Sequence, residues 1–427
     1  MRKATHSPPR GFMLIASLLF ILSGCGKATS LSTSIGVLSS MPANAPSAVG
    51  IALEQKNGYA AGLKAAGFDP KNIDESIPSS DVQRTIRGLV EDDKAPVIAM
   101  LGATSNSASS QGAALVNFFN IPMLVPSANG DNLFPSNNMW AFRLSAPGAK
   151  YANYIFGSLL TKQKVDTIVQ EIGSPRGVLP ELRIAILYEQ NTFGESAAVA
   201  TATAALSQSL KIDVYSNFKP DNPDPASLKI LANSVKEAKA QLVYLVSSDP
   251  KVARSLVQIF RATFDEQTMP ILVGQAGGFA AQDFLSSADA EGVYVLSQKI
   301  DRTNCPSDIQ SSYEAQSFAA VYVLHQAVQQ ASVNLASAKK QSSLFGPASP
   351  TPLQQREAIR DVLKVINIDV PCLGKVAFDN TGQNKFVELE LIGTRYSQVT
   401  PISATDFLGV FKERLTNDTL QPTENGQ

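Results

Sequence analysis

Histidine is almost missing from this chain, at two residues among 427, and cysteine is scarce at three. One histidine, His6, lies in the N-terminal segment, and the other, His325, stands in a helical run and reads as a packing or surface residue. So few His and Cys side chains exclude His-based catalytic triads and the usual zinc sites, and no metal site is expected. No Gly-x-Ser-x-Gly elbow, Gly-Lys-Ser/Thr phosphate loop or Cys-x-x-Cys pair occurs. No catalytic residue and no cofactor is therefore assigned, and an enzyme is not expected. Charge of either sign is also in short supply as an excess: 36 basic against 37 acidic residues leave a net −1. That balance gives no footprint for nucleic acid or for an anionic lipid surface.

Apolar residues, at 44% of the chain against 17% charged, are enough to bury a large core. A single core rarely grows past roughly 250–300 residues, so two lobes are the default expectation. Arg2, Lys3 and Arg10 precede an apolar run over 11–22 that is too short for the roughly 20 residues of a spanning helix. The run ends in Leu22-Ser23-Gly24-Cys25, which looks like a bacterial lipobox. Residues 1–25 thus read as a lipoprotein signal peptide and 26–33 as a tether. The chain is expected to be exported and anchored to the bacterial cell envelope, periplasmic or on the outer face of the membrane, by an acyl chain on Cys25. Cys305 and Cys372 then remain as a pair. In an oxidising compartment they read as a disulfide, the alternative being two buried free thiols.

Expected strands over 34–38, 96–101, 122–125 and 139–144 alternate with helices over 50–66, 82–92 and 109–119. The rhythm restarts with helices over 149–160, 195–209, 228–238 and 251–262 between strands over 182–188, 212–218, 242–246 and 270–273. A third portion gives a strand over 292–296 and a long helix over 312–331. A Ser/Pro/Ala-rich excursion follows over 332–355, then a helix over 356–365 and strands over 376–379 and 386–392. Residues 162–180 break the rhythm and read as an insertion in the second lobe, and 416–427 read as a polar tail. Short apolar strands alternating with helices indicate an α/β protein with parallel sheets covered on both faces. Two such series imply two doubly wound lobes.

Six segments stand in a fixed order: Ser34-Ile35-Gly36-Val37-Leu38; Leu89-Val90-Glu91-Asp92-Asp93-Lys94 through Leu101-Gly102; Ile121-Pro122-Met123-Leu124-Val125-Pro126-Ser127-Ala128-Asn129; Phe142-Arg143-Leu144-Ser145; Thr192-Phe193-Gly194-Glu195; and Val376-Ala377-Phe378-Asp379 with Gly382. Together they resemble the type I periplasmic binding protein family, in its branched-chain amino acid (leucine/isoleucine/valine-binding) branch. The resemblance implies two parallel-sheet lobes joined by three crossovers, with ligand held in the cleft and closure by hinge motion. Lobe one would comprise 34–145 plus 297–376, and lobe two 146–296 plus 377–415. Both remaining cysteines then fall in lobe one. The implied role is a monomeric solute-binding lipoprotein that hands a small polar solute, such as an amino acid or a related amide or carboxylate, to ABC permease subunits. The alternative is a lipoprotein using the same fold as a sensory or protein-interaction module.

In open parallel sheets, ligands bind beyond the carboxyl ends of strands. Here those positions carry Gly102-Ala103-Thr104-Ser105-Asn106-Ser107 and Ser127-Ala128-Asn129-Gly130, loops of small side chains, hydroxyls and backbone N–H groups. The resemblance places Asn106 where the family has a carboxylate-binding Ser, Asn129 where it has a Thr, and Phe193 where a Tyr packs on the ligand. Ser107, Ser127 and Ala128 complete the candidate set from lobe one. In lobe two, Ser247-Ser248-Asp249-Pro250 replaces a position often held by Tyr, and Ala276 stands where amino-acid binders carry the Glu that pairs with the ligand ammonium. Ser248, Asp249 and Gln275 are the candidate contacts there. Asp249 either supplies the missing charge or caps the helix after it, and the alternative to a charge is that Gln275 reads a neutral ligand.

Overall fold

The computed structural model describes residues 32–39, 49–74, 79–92, 94–173, 181–220, 223–341, 349–395 and 398–420. The expected signal peptide, Cys25 and most of the tether lie outside them, as do residues 421–427.

The first half-sheet follows from short apolar runs too rich in buried side chains to face water on either side. Strand β1 (Ser34–Ser39) leads into α1 (Val49–Ala66), β2 (Asp69–Asp74), α2 (Ser79–Val90), β3 (Ala99–Leu101), α3 (Asn106–Phe119), β4 (Met123–Val125) and β5 (Ala141–Arg143). These strands pair in parallel in the order β2-β1-β3-β4-β5. Strands β3, β4 and β5 are buried throughout, as parallel strands covered on both faces must be.

The chain then crosses over and builds a second sheet. Its elements are α4 (Gly148–Ala152), which runs on as a π-helical stretch over Asn153–Leu159, then α5 (Lys162–Ile172), β6 (Arg183–Glu189), α6 (Thr192–Ser207), β7 (Lys211–Phe218), α7 (Pro225–Glu237), β8 (Leu242–Val246), α8 (Pro250–Thr263), β9 (Ile271–Gln275), α9 (Gln282–Leu285) and β10 (Tyr294–Gln298). A return to the first lobe supplies α10 (Ser312–Gln341), α11 (Pro352–Val365), β11 (Asn367–Val370) and β12 (Gly374–Ala377). The last crossover leads to β13 (Leu389–Arg395), β14 (Gln398–Pro401) and α12 (Ala404–Leu420). The second sheet has the order β14-β13-β10-β9-β8-β6-β7, parallel except that β13 and β14 are antiparallel additions at one edge.

Three apolar clusters record the layering. Residues of α1, α10 and α11 cover one face of the first sheet, and residues of α2 and α3 cover the other. A larger cluster fills the second lobe and includes Phe407, Phe411 and Leu415 of α12, which are fully buried at four-residue spacing. The molecule is thus the α/β pair of doubly wound lobes expected from the sequence.

Three expectations change. Within the segment read as breaking the rhythm, residues 162–172 form the amphipathic helix α5, whose Val165, Ile168 and Val169 are buried in the core of the second lobe. The excursion expected from residue 332 is still helix, because α10 runs on to Gln341. The polar tail begins inside α12, which extends to Leu420.

The three crossovers lie side by side. Residue Arg143, at the first, exchanges backbone hydrogen bonds with the third: its N–H donates to the Gly382 carbonyl at 2.8 Å, and its own carbonyl accepts from Asn384 N–H at 3.0 Å. The Arg143 guanidinium is 1% exposed and donates to Gln383 Oε1 at 2.6 Å and to the Gly130 carbonyl at 2.5 Å. Burial lowers its pKa to about 10, so it stays charged at neutral pH. On the lobe-one side, Asp301 N–H at the second crossover donates to the Cys372 carbonyl at 2.8 Å. The Cys305–Cys372 disulfide, with Cα atoms 4.5 Å apart, closes the same junction.

Candidate functional site

The carboxyl ends of both sheets face one another across the cleft, which brings loops from both lobes together. After β3, Gly102 turns the chain at φ +118°, with the Leu38 carbonyl oxygen 1.9 Å from where a Cβ would stand. Only glycine permits that approach. Ser105 then caps α3, its hydroxyl accepting from Ala108 N–H at 3.1 Å. Asn106, in the first turn, ties this loop to the one after β4. Its Oδ1 accepts from the backbone N–H groups of Asn129 and Gly130 at 2.9 and 3.1 Å, and its Nδ2 donates to Asn129 Oδ1 at 3.3 Å. Ser127, beside it, accepts from Gln55 Nε2 of α1.

In lobe two the loops are held from beneath by Glu189, the last residue of β6, which is fully buried. Its carboxylate accepts from Asn191 Nδ2 at 2.6 Å, from Ser248 N–H at 2.8 Å and from the Ser247 hydroxyl at 3.4 Å. Burial raises its pKa, against these hydrogen bonds. Asn191 caps α6 through Gly194 N–H at 2.9 Å. Asp249 caps α8, accepting from Lys251 N–H at 2.7 Å.

Between the lobes lies a cavity of about 160 Å3, below the roughly 300 Å3 at which drug-sized sites begin. Lobe one lines it with Ile51, Thr104, Ser105, Asn106, Ser107, Ser127, Ala128, Asn129 and Tyr313, and lobe two with Asn191, Thr192, Phe193, Ser248 and Gly277. The sequence-derived candidates Asn106, Ser107, Ser127, Ala128, Asn129, Phe193 and Ser248 therefore come together. Asp249 and Gln275 are not among the lining residues. Gln275 is fully buried, its Oε1 accepting from the Tyr244 hydroxyl at 3.0 Å. Ile51, Asn191, Thr192, Gly277 and Tyr313 were not read as site residues. Asn191 carried a signal as the cap before the Phe193 loop, whereas Ile51 and Tyr313 are helix residues that reach the cleft only through the lobe arrangement. A larger cavity, of about 580 Å3, lies against α1 and β2 in lobe one and takes no residue from lobe two.

Hydrogen bonds among the described residues join the two lobes across the cleft. The Tyr313 hydroxyl donates to the Gly277 carbonyl at 2.8 Å, Asp131 N–H to the Ser196 hydroxyl at 3.2 Å, and Gln282 N–H to Glu54 Oε1 at 2.8 Å. Glu54, 8% exposed, has its pKa raised to about 7, chiefly by burial and further by the like charges of Glu314 and Asp283, against hydrogen bonds from Ser311 and the Gln282 amide.

No family model matches the chain, and no curated protein matches it in sequence. Solved structures do match in shape. A leucine-binding protein LivK from Thermotoga maritima superposes with a TM-score of 0.64 at 12% identity, over 87% of this chain and 97% of that one. The branched-chain amino acid transporter substrate-binding protein LivJ from Streptococcus pneumoniae, solved with isoleucine, gives 0.60 at 14% identity, over 87% and 99%. A solute-binding protein of an ABC transporter from Rhodopseudomonas palustris, solved with 3,4-dihydroxybenzoic acid, gives 0.64 at 13% identity, over 86% and 95%. Identities this low speak to architecture: the chain has the type I periplasmic binding protein fold.

Proposed function

We propose that this protein is an exported solute-binding lipoprotein that captures a small polar solute for an ABC importer. The observation that carries the reading is the cavity between the lobes, lined by hydroxyl and amide side chains from both. Such a site gains its full set of contacts only when the lobes are together, so binding and closure are coupled through hinge motion at the three crossovers. The lobes are taken as 34–145 plus 297–376 and 146–296 plus 377–415. Asn106 and Asn129 hold the lobe-one loops in register, while Ser107, Ser127, Phe193 and Ser248 face the solute. The protein works as a monomer tethered by an acyl chain on Cys25 and delivers to ABC permease subunits. It is non-catalytic. The fold of leucine- and isoleucine-binding proteins and of an aromatic-acid binder supports capture of a small organic solute.

Native mass spectrometry of the mature chain, before and after denaturation and refolding, tests this. A small mass that co-purifies and is lost on refolding is the expected result. An empty protein that shows no thermal shift across a metabolite library would sink it and turn attention to protein partners.

A further inference from the structure

The charged groups around the cleft are disposed in a way that narrows the solute. We infer that the ligand carries no ammonium or other cationic centre, and is a small neutral or singly anionic molecule without an amino group. The inference rests on the solute-capture reading above and deepens it.

Among the described residues lining the cavity, none carries a formal charge. Acids close in sequence to the lining residues stand outside the lining set: Glu195 is exposed, and Glu314 accepts from Asn57 Nδ2 at 3.2 Å and from the Gln310 and Ser311 N–H groups at 2.6 and 3.0 Å. Glu189 is fully buried beneath the loops, with both oxygens accepting from Asn191, Ser247 and Ser248. Asp249 is spent on Lys251 N–H, and Asp131 on Ala149 N–H at 2.8 Å. Glu54 is buried outside the lining set, gives one oxygen to Gln282 N–H, and is pushed toward its neutral form by burial and by Glu314 and Asp283. At the position where the resemblance calls for a Glu stands Ala276, itself buried.

The surrounding dipoles favour the same class. The N-termini of α3, α6 and α8 meet the cavity at Ser105-Asn106-Ser107, at Asn191-Thr192-Phe193 and at Ser248. Each presents the partially positive end of its helix, which opposes a cation and accommodates a carboxylate. An ammonium enclosed here would lose its water without gaining a counter-charge, an arrangement that proteins avoid. Ile51, Phe193 and Tyr313 meanwhile supply apolar and aromatic surface for a short aliphatic or single-ring body.

The test compares matched pairs by titration calorimetry on the full-length, refolded protein in detergent: 4-methyl-2-oxopentanoate against leucine, and phenylpyruvate against phenylalanine. It is joined to native mass spectrometry of the solute that co-purifies. The expected result is that any pair that binds does so through its oxo-acid, with the amino acid at least about 100-fold weaker. A captured solute of another kind that lacks a cationic nitrogen supports the inference equally. An amino acid that binds as tightly as its oxo-acid partner, or a captured amine or guanidine, overturns it while leaving solute capture intact. A protein that co-purifies nothing, binds neither series and shows no thermal shift across a metabolite library overturns both.

Discussion

Glu54 sits where a charge is costly, and its titration makes lobe contact depend on pH. Its carboxyl is raised from 4.5 to about 7 in the folded protein. A raised acid contributes stability that is fully present below about 4.5 and is lost as pH rises through about 7, because the ionised form is the one that burial penalises. The Glu54→Gln variant keeps an uncharged acceptor facing Gln282 and removes the titration. Melting temperatures of wild type and variant, followed from about pH 4 to about pH 8.5, are expected to diverge, with the wild type falling relative to the variant between about pH 4.5 and about pH 7 and keeping a constant offset above that. A constant difference across that range would mean that Glu54 does not titrate there. Glu189, also raised by burial, acts with the same sign but is common to both proteins, so it cancels in the comparison. Of these residue-level features, the capping role of Asp249 was one of two readings the sequence offered. The buried acid at Glu54 had no sequence signal, since one Glu in a helix looks like any other until a second lobe covers it.

At the scale of elements, α1 packs closely against α10, and glycines make it possible. A Cβ at Gly58 would lie 2.2 Å from the Glu314 carbonyl oxygen, and one at Gly62 would lie 2.7 Å from Val321 Cβ. Gly58→Ala is therefore expected to destabilise by about 1–3 kcal/mol through overpacking, although alanine is the better helix former. Gly88→Ala on the exposed side of α2, where a Cβ would meet nothing within 4 Å, is the control and is expected to gain up to about 1 kcal/mol. Urea unfolding of both variants measures this, and equal effects would refute the packing account. The same glycines were invisible as contacts in the sequence, where they read only as weak points in a helical pattern. Most strands were legible because parallel strands buried on both faces appear as apolar runs. Strand β2, Asp-Pro-Lys-Asn-Ile-Asp, was not, because an edge strand needs no such run. For α5 the signal was present in Val165, Ile168 and Val169 at helical spacing, but the expected rhythm of strand and helix hid it. The C-terminal part of α10 was lost to its serines, whose turn preference the Ala- and Lys-rich context overrides.

Across the whole molecule, the two-lobed plan was legible because the strand-helix series occurs twice. The cleft was legible in part: small polar loops at strand ends announce themselves, whereas Tyr313 becomes a site residue only because α10 crosses back to the first lobe. The Cys305–Cys372 pair closes a loop with a sequence separation of 67. Its reduction, or Cys372→Ala, is expected to cost about 2–5 kcal/mol, visible as a fall in melting temperature with reductant. An unchanged melting temperature would show that native packing alone fixes this junction.

The position of that bridge has a mechanical meaning. It joins the chain just after the second crossover to the chain just before the third, where Asp301 already pairs with Cys372. Three separate strings between two bodies permit bending, twisting and sliding in any mixture. Two of them fastened together at the root behave as one stiff ribbon, which flexes about its own width and resists torsion. For the hinge closure proposed above, oxidation is thus expected to narrow the paths open to the lobes, so that residues facing each other at the mouth of the cleft meet the same partners on each closure.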